Sequence, residues 1–173
     1  MERKNIITFK GNPLTLVGPE LKIGDAAPDF TATDAGLKPV KLSDFKGKTV
    51  VITSVPSLDT PVCATQTVKF NQEAASLNAM ILTVSLDLPF AQKRFCESQK
   101  IQNVTVVSDY KDRDFAAKYG FLIKELGLLT RTVLVVNPSG KITYLEVVKE
   151  VTQEPNYQAA IDKVKSSAVA AAR

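Results

Sequence analysis

Cys63 is the side chain best placed for nucleophilic chemistry, and its neighbours give the reason. It closes the run Pro56-Ser57-Leu58-Asp59-Thr60-Pro61-Val62-Cys63. Thr60 is a good N-cap and Pro61 suits the first helical position, so Cys63 becomes the third residue of a helix. Its sulfur would then lie among backbone N–H groups without helical partners, near the positive end of the helix dipole. Such surroundings favour the thiolate, the nucleophilic form of the side chain. The competing reading is an inert buried cysteine, a common state for this residue. The second cysteine, Cys96, follows 33 residues later, so there is no Cys-x-x-Cys; beside Phe95 it too reads as a buried thiol. The chain has no histidine. That excludes Ser–His and Cys–His pairs and any histidine metal site. Activation of Cys63 must come from backbone, dipole, arginine or lysine.

The elements that must position Cys63 alternate in type. Thr49 to Val55 reads as a buried strand, and Thr60 to Leu77 as a helix with Ala64, Val68, Ala74 and Leu77 apolar. Met80 to Leu86 is a second buried strand, Pro89 to Gln99 a second helix, and Val104 to Ser108 a third strand. Asp112 to Tyr119 is a short helix closed by Gly120. Thr132 to Val136 and Lys141 to Val148 flank Asn137-Pro138-Ser139-Gly140, a hairpin signal. Pro155 to about Ala170 is a terminal helix whose alanine-rich end, 168–172, is expected to fray. Before all of these, Ile6 to Lys10 and Leu14 to Val17 flank Gly11-Asn12-Pro13 and predict an N-terminal β-hairpin. Val40-Lys41-Leu42 is a short extended piece, and Ser43 is placed to cap one helical turn ending at Gly47. The order predicts an α/β protein, a mixed central sheet flanked by helices. With no internal repeat, linker or low-complexity block, residues 1–173 are expected to form a single domain.

Composition narrows the class. Hydrophobic residues make up 45 % and charged residues 23 % of the 173, as in ordinary globular proteins. The net charge of +4 is spread with both signs interspersed, which argues against a nucleic-acid partner. The apolar stretch after Met1 is too short for a signal-peptide core, and no run of 18 apolar residues offers a membrane span. Two cysteines are too few for a secreted disulfide scaffold of this length. A cytoplasmic protein is the expectation.

Together the motifs resemble those of a known family. Pro56-x-x-x-Thr60-x-x-Cys63 is similar to the active-site pattern of peroxiredoxins. Phe9-Lys10-Gly11-Asn12-Pro13-Leu14 resembles the opening hairpin of bacterial thiol peroxidases, which are atypical two-cysteine peroxiredoxins. Asp87-Leu88-Pro89-Phe90-Ala91-Gln92-Lys93-Arg94-Phe95-Cys96 resembles their resolving-cysteine segment, and Thr130-Arg131-Thr132-Val133-Leu134-Val135 the strand with their active-site arginine. The likeness runs through nearly the whole chain in the right order. It implies a thioredoxin-like fold with the hairpin as an N-terminal extension, and a peroxidase without metal or bound cofactor. Cys63 would be the peroxidatic nucleophile and Cys96 the resolving partner. Thr60 and Arg131 would act on the peroxide, while Pro56 shapes the pocket and shields the sulfur. The resemblance also implies a thioredoxin-type reductant and a homodimer.

Magnitudes show why one cysteine is not enough. A helix terminus contributes ~0.3–1 kcal/mol, or ~2 kcal/mol when partly buried. Bringing a thiol to about 90 % thiolate at pH 7 takes roughly 3.4 kcal/mol, so a cation such as Arg131 is required. Lower basicity also weakens the nucleophile, with a Brønsted slope of about 0.4–0.5, which leaves a net gain of only a few-fold. The larger part of the rate must come from holding the peroxide in line and stabilising the leaving oxygen. Leu58, Phe90 and Phe95 are candidates for an apolar approach favouring organic hydroperoxides, or else simple core residues. Cys96 lies seven residues past Pro89, ~10 Å along its helix, which takes the two Cα atoms beyond the ~7 Å reach of a disulfide. Local unwinding is therefore expected before they can join. Two rivals remain at this stage: a thiol–disulfide oxidoreductase, and a non-enzymatic redox sensor on the same fold.

Overall fold

The computed structural model describes residues 1–171, with side chains through 167. The chain opens with β1 (Glu2–Phe9) and β2 (Asn12–Val17), then β3 (Thr31–Thr33) and β4 (Pro39–Lys41). A 3₁₀ turn at Leu42–Phe45 leads to β5 (Val50–Ser54), α1 (Pro61–Ala74), β6 (Met80–Ser85), α2 (Pro89–Gln99) and β7 (Thr105–Ser108). After α3 (Asp114–Tyr119) come β8 (Leu122–Ile123), β9 (Leu128–Leu129), β10 (Thr132–Val136), β11 (Ile142–Val147) and α4 (Tyr157–Ala171). The expected fraying of residues 168–172 concerns side chains and a terminus outside the described residues.

Seven strands form the central sheet in the order β11-β10-β5-β6-β7-β3-β4. β5, β6 and β7 are parallel, β10 is antiparallel to β5, and the sheet is mixed as the element order predicts. Both faces of its middle strands are buried, and the period of two sorts them. Val50, Ile52, Leu82, Val84, Leu134 and Val136 face one core with Phe30, Phe115 and Tyr119. Val51, Ile81, Val106, Val133 and Val135 face the other, with Cys63, Phe70, Ile161 and Val164. α1 and α4 therefore cover one face, joined by Phe95 and Cys96 of α2, while α3 covers the opposite one.

Several boundaries differ from the sequence expectation. The hairpin turn is Lys10-Gly11, both at positive φ (49° and 80°), as a type I′ turn requires. Asn12 and Pro13 belong to β2, opposite Phe9 and Thr8. The hairpin is not a free extension, because β2 pairs with β8 and joins a second sheet, β1-β2-β8-β9. Ser43 does not cap the 3₁₀ turn; Asp44 accepts from the Lys41 N–H, while Asp29 takes the Ser43 N–H. α1 stops at Ala74, three residues short of the expected end. α4 starts after Asn156, whose side chain accepts from Ala159 N–H and so does the capping that Glu154-Pro155 suggested.

Candidate active site

The β5–α1 loop delivers Cys63 as predicted, at the third position of α1 behind Thr60 and Pro61. The residue is 0 % exposed and packs with Val55, Leu58 and Phe70. The face of α1 turned to the sheet is Cys63, Gln66, Thr67 and Phe70, a helical i, i+3, i+4, i+7 stripe. Of the expected stripe, Ala64, Val68 and Ala74 are only partly buried, and Leu77 is buried but lies past the end of α1. Two of the four residues on the sheet-facing stripe are polar, so α1 carries chemistry on the side that packing alone would make apolar.

Arg131 reaches the sulfur because β10 runs antiparallel to β5. Thr132 pairs with Ser54, the last residue of β5, so the residue before Thr132 lies at the strand end from which α1 departs. Ser54 Oγ donates to the Thr130 carbonyl at 2.7 Å and shares a hydrogen bond with Thr132 Oγ1, pinning both flanks of Arg131. The guanidinium is 2 % exposed. Its Nε donates to the Val151 carbonyl at 3.0 Å, Nη1 to Gln66 Oε1 at 2.9 Å, and Nη2 to Cys63 Sγ at 3.2 Å. Among the described residues no carboxylate lies within ion-pair distance of it. A buried cation without a directly paired carboxylate is costly, and the Glu154 carboxylate feels its charge from farther off.

Two other expected residues sit differently. Pro56, within the β5–α1 loop, is buried. Thr60 occupies the N-cap position, but its hydroxyl caps no N–H and instead donates to the Ser57 carbonyl at 2.8 Å. The Thr60 N–H bonds the same carbonyl at 3.1 Å, so the loop is closed on Ser57 rather than on the helix. Thr60 is exposed and makes no hydrogen bond to the sulfur.

Cys96 is not bonded to Cys63, although it packs against the same core cluster. Both thiols are free, and Cys96 is only partly buried. Burial pushes its thiol up from the ordinary value, and the Glu97 charge adds to this. α2 starts where β6 ends and runs back along the sheet, which carries Cys96, its eighth residue, away from the edge holding Cys63. Leu58 and Phe95 join the core around Cys63, whereas Phe90 is 60 % exposed and lies outside it.

Sequence reasoning missed two contributors. Gln66, three residues after Cys63 on the same face, orients Arg131 and keeps a buried, unpartnered Nε2; its spacing was the available signal. Asp87, in the loop between β6 and α2, reaches back to the β5–α1 loop. Its carboxylate accepts from Ser57 Oγ (2.7 Å), Leu58 N–H (2.8 Å) and Ser85 Oγ (2.7 Å). No local spacing announces a contact across 30 residues. At the rim, Tyr157 stacks edge-on against Phe70 with ring centroids 5.3 Å apart. Its hydroxyl donates to Glu154, whose carboxyl is held below the usual range by hydrogen bonds from Lys69 and Tyr157.

Comparison with known proteins agrees with this geometry. The family profile described as Redoxin matches residues 22–161. A thiol peroxidase of Listeria monocytogenes is 51 % identical over 162 residues, covering 93 % of this chain and 98 % of its own. One from Oceanobacillus iheyensis is 53 % identical over 156 residues, covering 90 % and 95 %. The crystal structure of a peroxiredoxin-like protein from Aquifex aeolicus superposes with a TM-score of 0.90 at 49 % identity, covering 94 % of this chain and 97 % of that one. The thioredoxin-like fold, the buried cysteine at a helix start and these likenesses agree: the chain belongs to the redoxin family, among the bacterial thiol peroxidases.

Proposed function

We propose that this protein reduces hydroperoxides with Cys63 as the nucleophile. The observation that carries the reading is the 3.2 Å contact between Arg131 Nη2 and Cys63 Sγ, with both residues buried and Cys63 in the first turn of α1. The Cys63 thiolate attacks the distal peroxide oxygen; an S–O bond forms, the O–O bond breaks, and the alkoxide leaves as alcohol after taking a proton. Arg131 offers the fixed donors of its planar fork to the oxygens as negative charge moves onto the leaving one. Gln66 and the Val151 carbonyl fix the guanidinium plane. Thr60 serves as a donor once its hydroxyl turns from Ser57 toward the peroxide. Pro56 keeps the loop packed over the sulfur. Cys63 is 0 % exposed, so side chains at the mouth must part to admit substrate.

Cys96 is the resolving residue in this reading. Its thiolate attacks the sulfenic sulfur, an S–S bond forms, the S–O bond breaks, and the departing hydroxide becomes water by taking a proton from solvent. Because the topology separates the two residues, the last turns of α2 unwind first. A dithiol protein of the thioredoxin type then restores both thiols by exchange. A homodimer, carried from the family resemblance, and a cytoplasmic location, carried from composition, complete the reading. Coupled turnover tests it: protein, a dithiol reductant and cumene hydroperoxide should consume the two in equal amounts. Cys63→Ser should abolish consumption. Disulfide exchange at undiminished rate without peroxide would favour the oxidoreductase reading, and stoichiometric oxidation without turnover the sensor.

A further inference from the structure

The Asp87 carboxylate joins two segments that the proposed reaction uses in succession. On one side it holds Ser57 Oγ and the Leu58 N–H of the loop that presents Cys63. On the other it accepts from Ser85 Oγ, which in turn receives Gln92 Nε2 of α2, the helix that carries Cys96. Gln92 also donates to the Val107 carbonyl, and Ser108 Oγ donates to the Asp87 carbonyl. The carboxylate is thus anchored to the sheet through β6 and β7 while its free side faces the peroxidatic loop. Three donors converge on it, two of them from that loop, and none is a cation.

We propose that Asp87 is a positioning residue that latches the Cys63 loop shut for reaction with peroxide and must release it for disulfide formation. The proposal rests on the peroxidase reading. Its consequence is opposite in sign for the two steps. With the latch in place Leu58 is buried, at 4 % exposure, and the turn Ser57–Thr60 is fixed, so Cys63 Sγ keeps its place beside Arg131. With the latch broken, that arrangement is populated less often, but the loop reaches Cys96 more readily. A hydrogen bond to a charged group is worth enough that losing one changes a rate about tenfold.

The test measures the steps separately. In a Cys96→Ser background, which halts at the sulfenic acid, Asp87→Ala should oxidise with cumene hydroperoxide about tenfold more slowly. In the two-cysteine protein the same substitution should speed disulfide formation once the sulfenic acid exists. Asp87→Asn, which still accepts from Leu58 N–H, should recover most of the first-step rate. Amide exchange at Leu58 should quicken in Asp87→Ala. If that variant does not fold, Ser57→Ala removes one link alone and should show the same opposite signs at smaller amplitude. Unchanged rates, or both steps slowed together as a merely structural defect would do, overturn the latch. A parent protein that does not react with peroxide would instead overturn the peroxidase reading.

Discussion

Among the described residues Arg131 has three acceptors and no carboxylate at ion-pair distance, and this sets what can replace it. Val151, Gln66 and Cys63 each take one side of the fork. Lysine keeps the charge but is a point donor that cannot meet all three. Arg131→Lys should therefore slow Cys63 oxidation by about 10²–10³-fold, the range for losing a placed oxyanion donor. Stopped-flow oxidation in a Cys96→Ser background reads this directly, and a loss under threefold would remove Arg131 from the mechanism. At this scale the sequence was informative for Cys63, because cap, proline and cysteine spacing are local. Arg131 stood out only by family resemblance, since nothing local distinguishes an arginine at a strand start from a surface one. Thr60 holds the N-cap position that the spacing predicts, while its hydroxyl bonds the Ser57 carbonyl, a loop contact that cap spacing does not announce.

α1 and α2 differ in how firmly they are held. α1 buries Cys63, Gln66, Thr67 and Phe70, spread over two turns. α2 buries only Pro89 and Gln92, both in its first half, and its last seven residues have no fully buried side chain. Few buried contacts mean cheap local opening, so amide exchange at 96–99 should be faster than at 66–70. A pH effect follows. The Cys96 thiol is pushed up by burial, so folding of this segment favours the neutral form. That contribution is complete below the ordinary thiol pKa of about 8.5 and is lost as pH rises toward the higher folded value. Alkaline pH both frees the end of α2 and supplies the attacking thiolate. Disulfide formation after a single oxidation should accelerate from pH 6 to 9 as the thiolate fraction of Cys96 rises; a flat profile would contradict attack by a Cys96 thiolate. The helices and middle strands were legible because their periodicity is strong. The two-residue strands β8 and β9 were not, since four residues carry no period and only the pairing of β8 with β2 and of β9 with β8 makes them strands.

Across the whole molecule, the N-terminal hairpin supports the site from a distance. The Glu150 carboxylate accepts from Thr8 Oγ1, Thr152 Oγ1 and the N–H groups of Lys10 and Gly11. These bonds, the Thr8 hydroxyl foremost, hold its carboxyl down to about 2. The next residue is Val151, which bonds Thr8 through its N–H and Arg131 through its carbonyl. A depressed carboxyl contributes stability above its unfolded value of about 4.3 that is lost as pH falls toward the folded one. Urea midpoints should thus fall between pH 4.5 and 2, and Glu150→Gln should flatten that fall; an equal slope in the variant would exclude the hairpin tie. This coupling of residues 8 and 150 was invisible in the sequence, where an exposed glutamate after a strand looks like ordinary surface. The mixed sheet and its flanking helices were legible from element order. The second sheet was not, because it depends on the pairing of β2 with β8. The central claim, peroxide reduction at Cys63 with resolution by Cys96, is tested most directly by intact mass. Fully reduced protein receives one equivalent of cumene hydroperoxide and is quenched within seconds. The account predicts loss of two hydrogens, replaced by one added oxygen in Cys96→Ser and absent in Cys63→Ser. An unchanged mass in the parent protein, or the same change in Cys63→Ser, would contradict it.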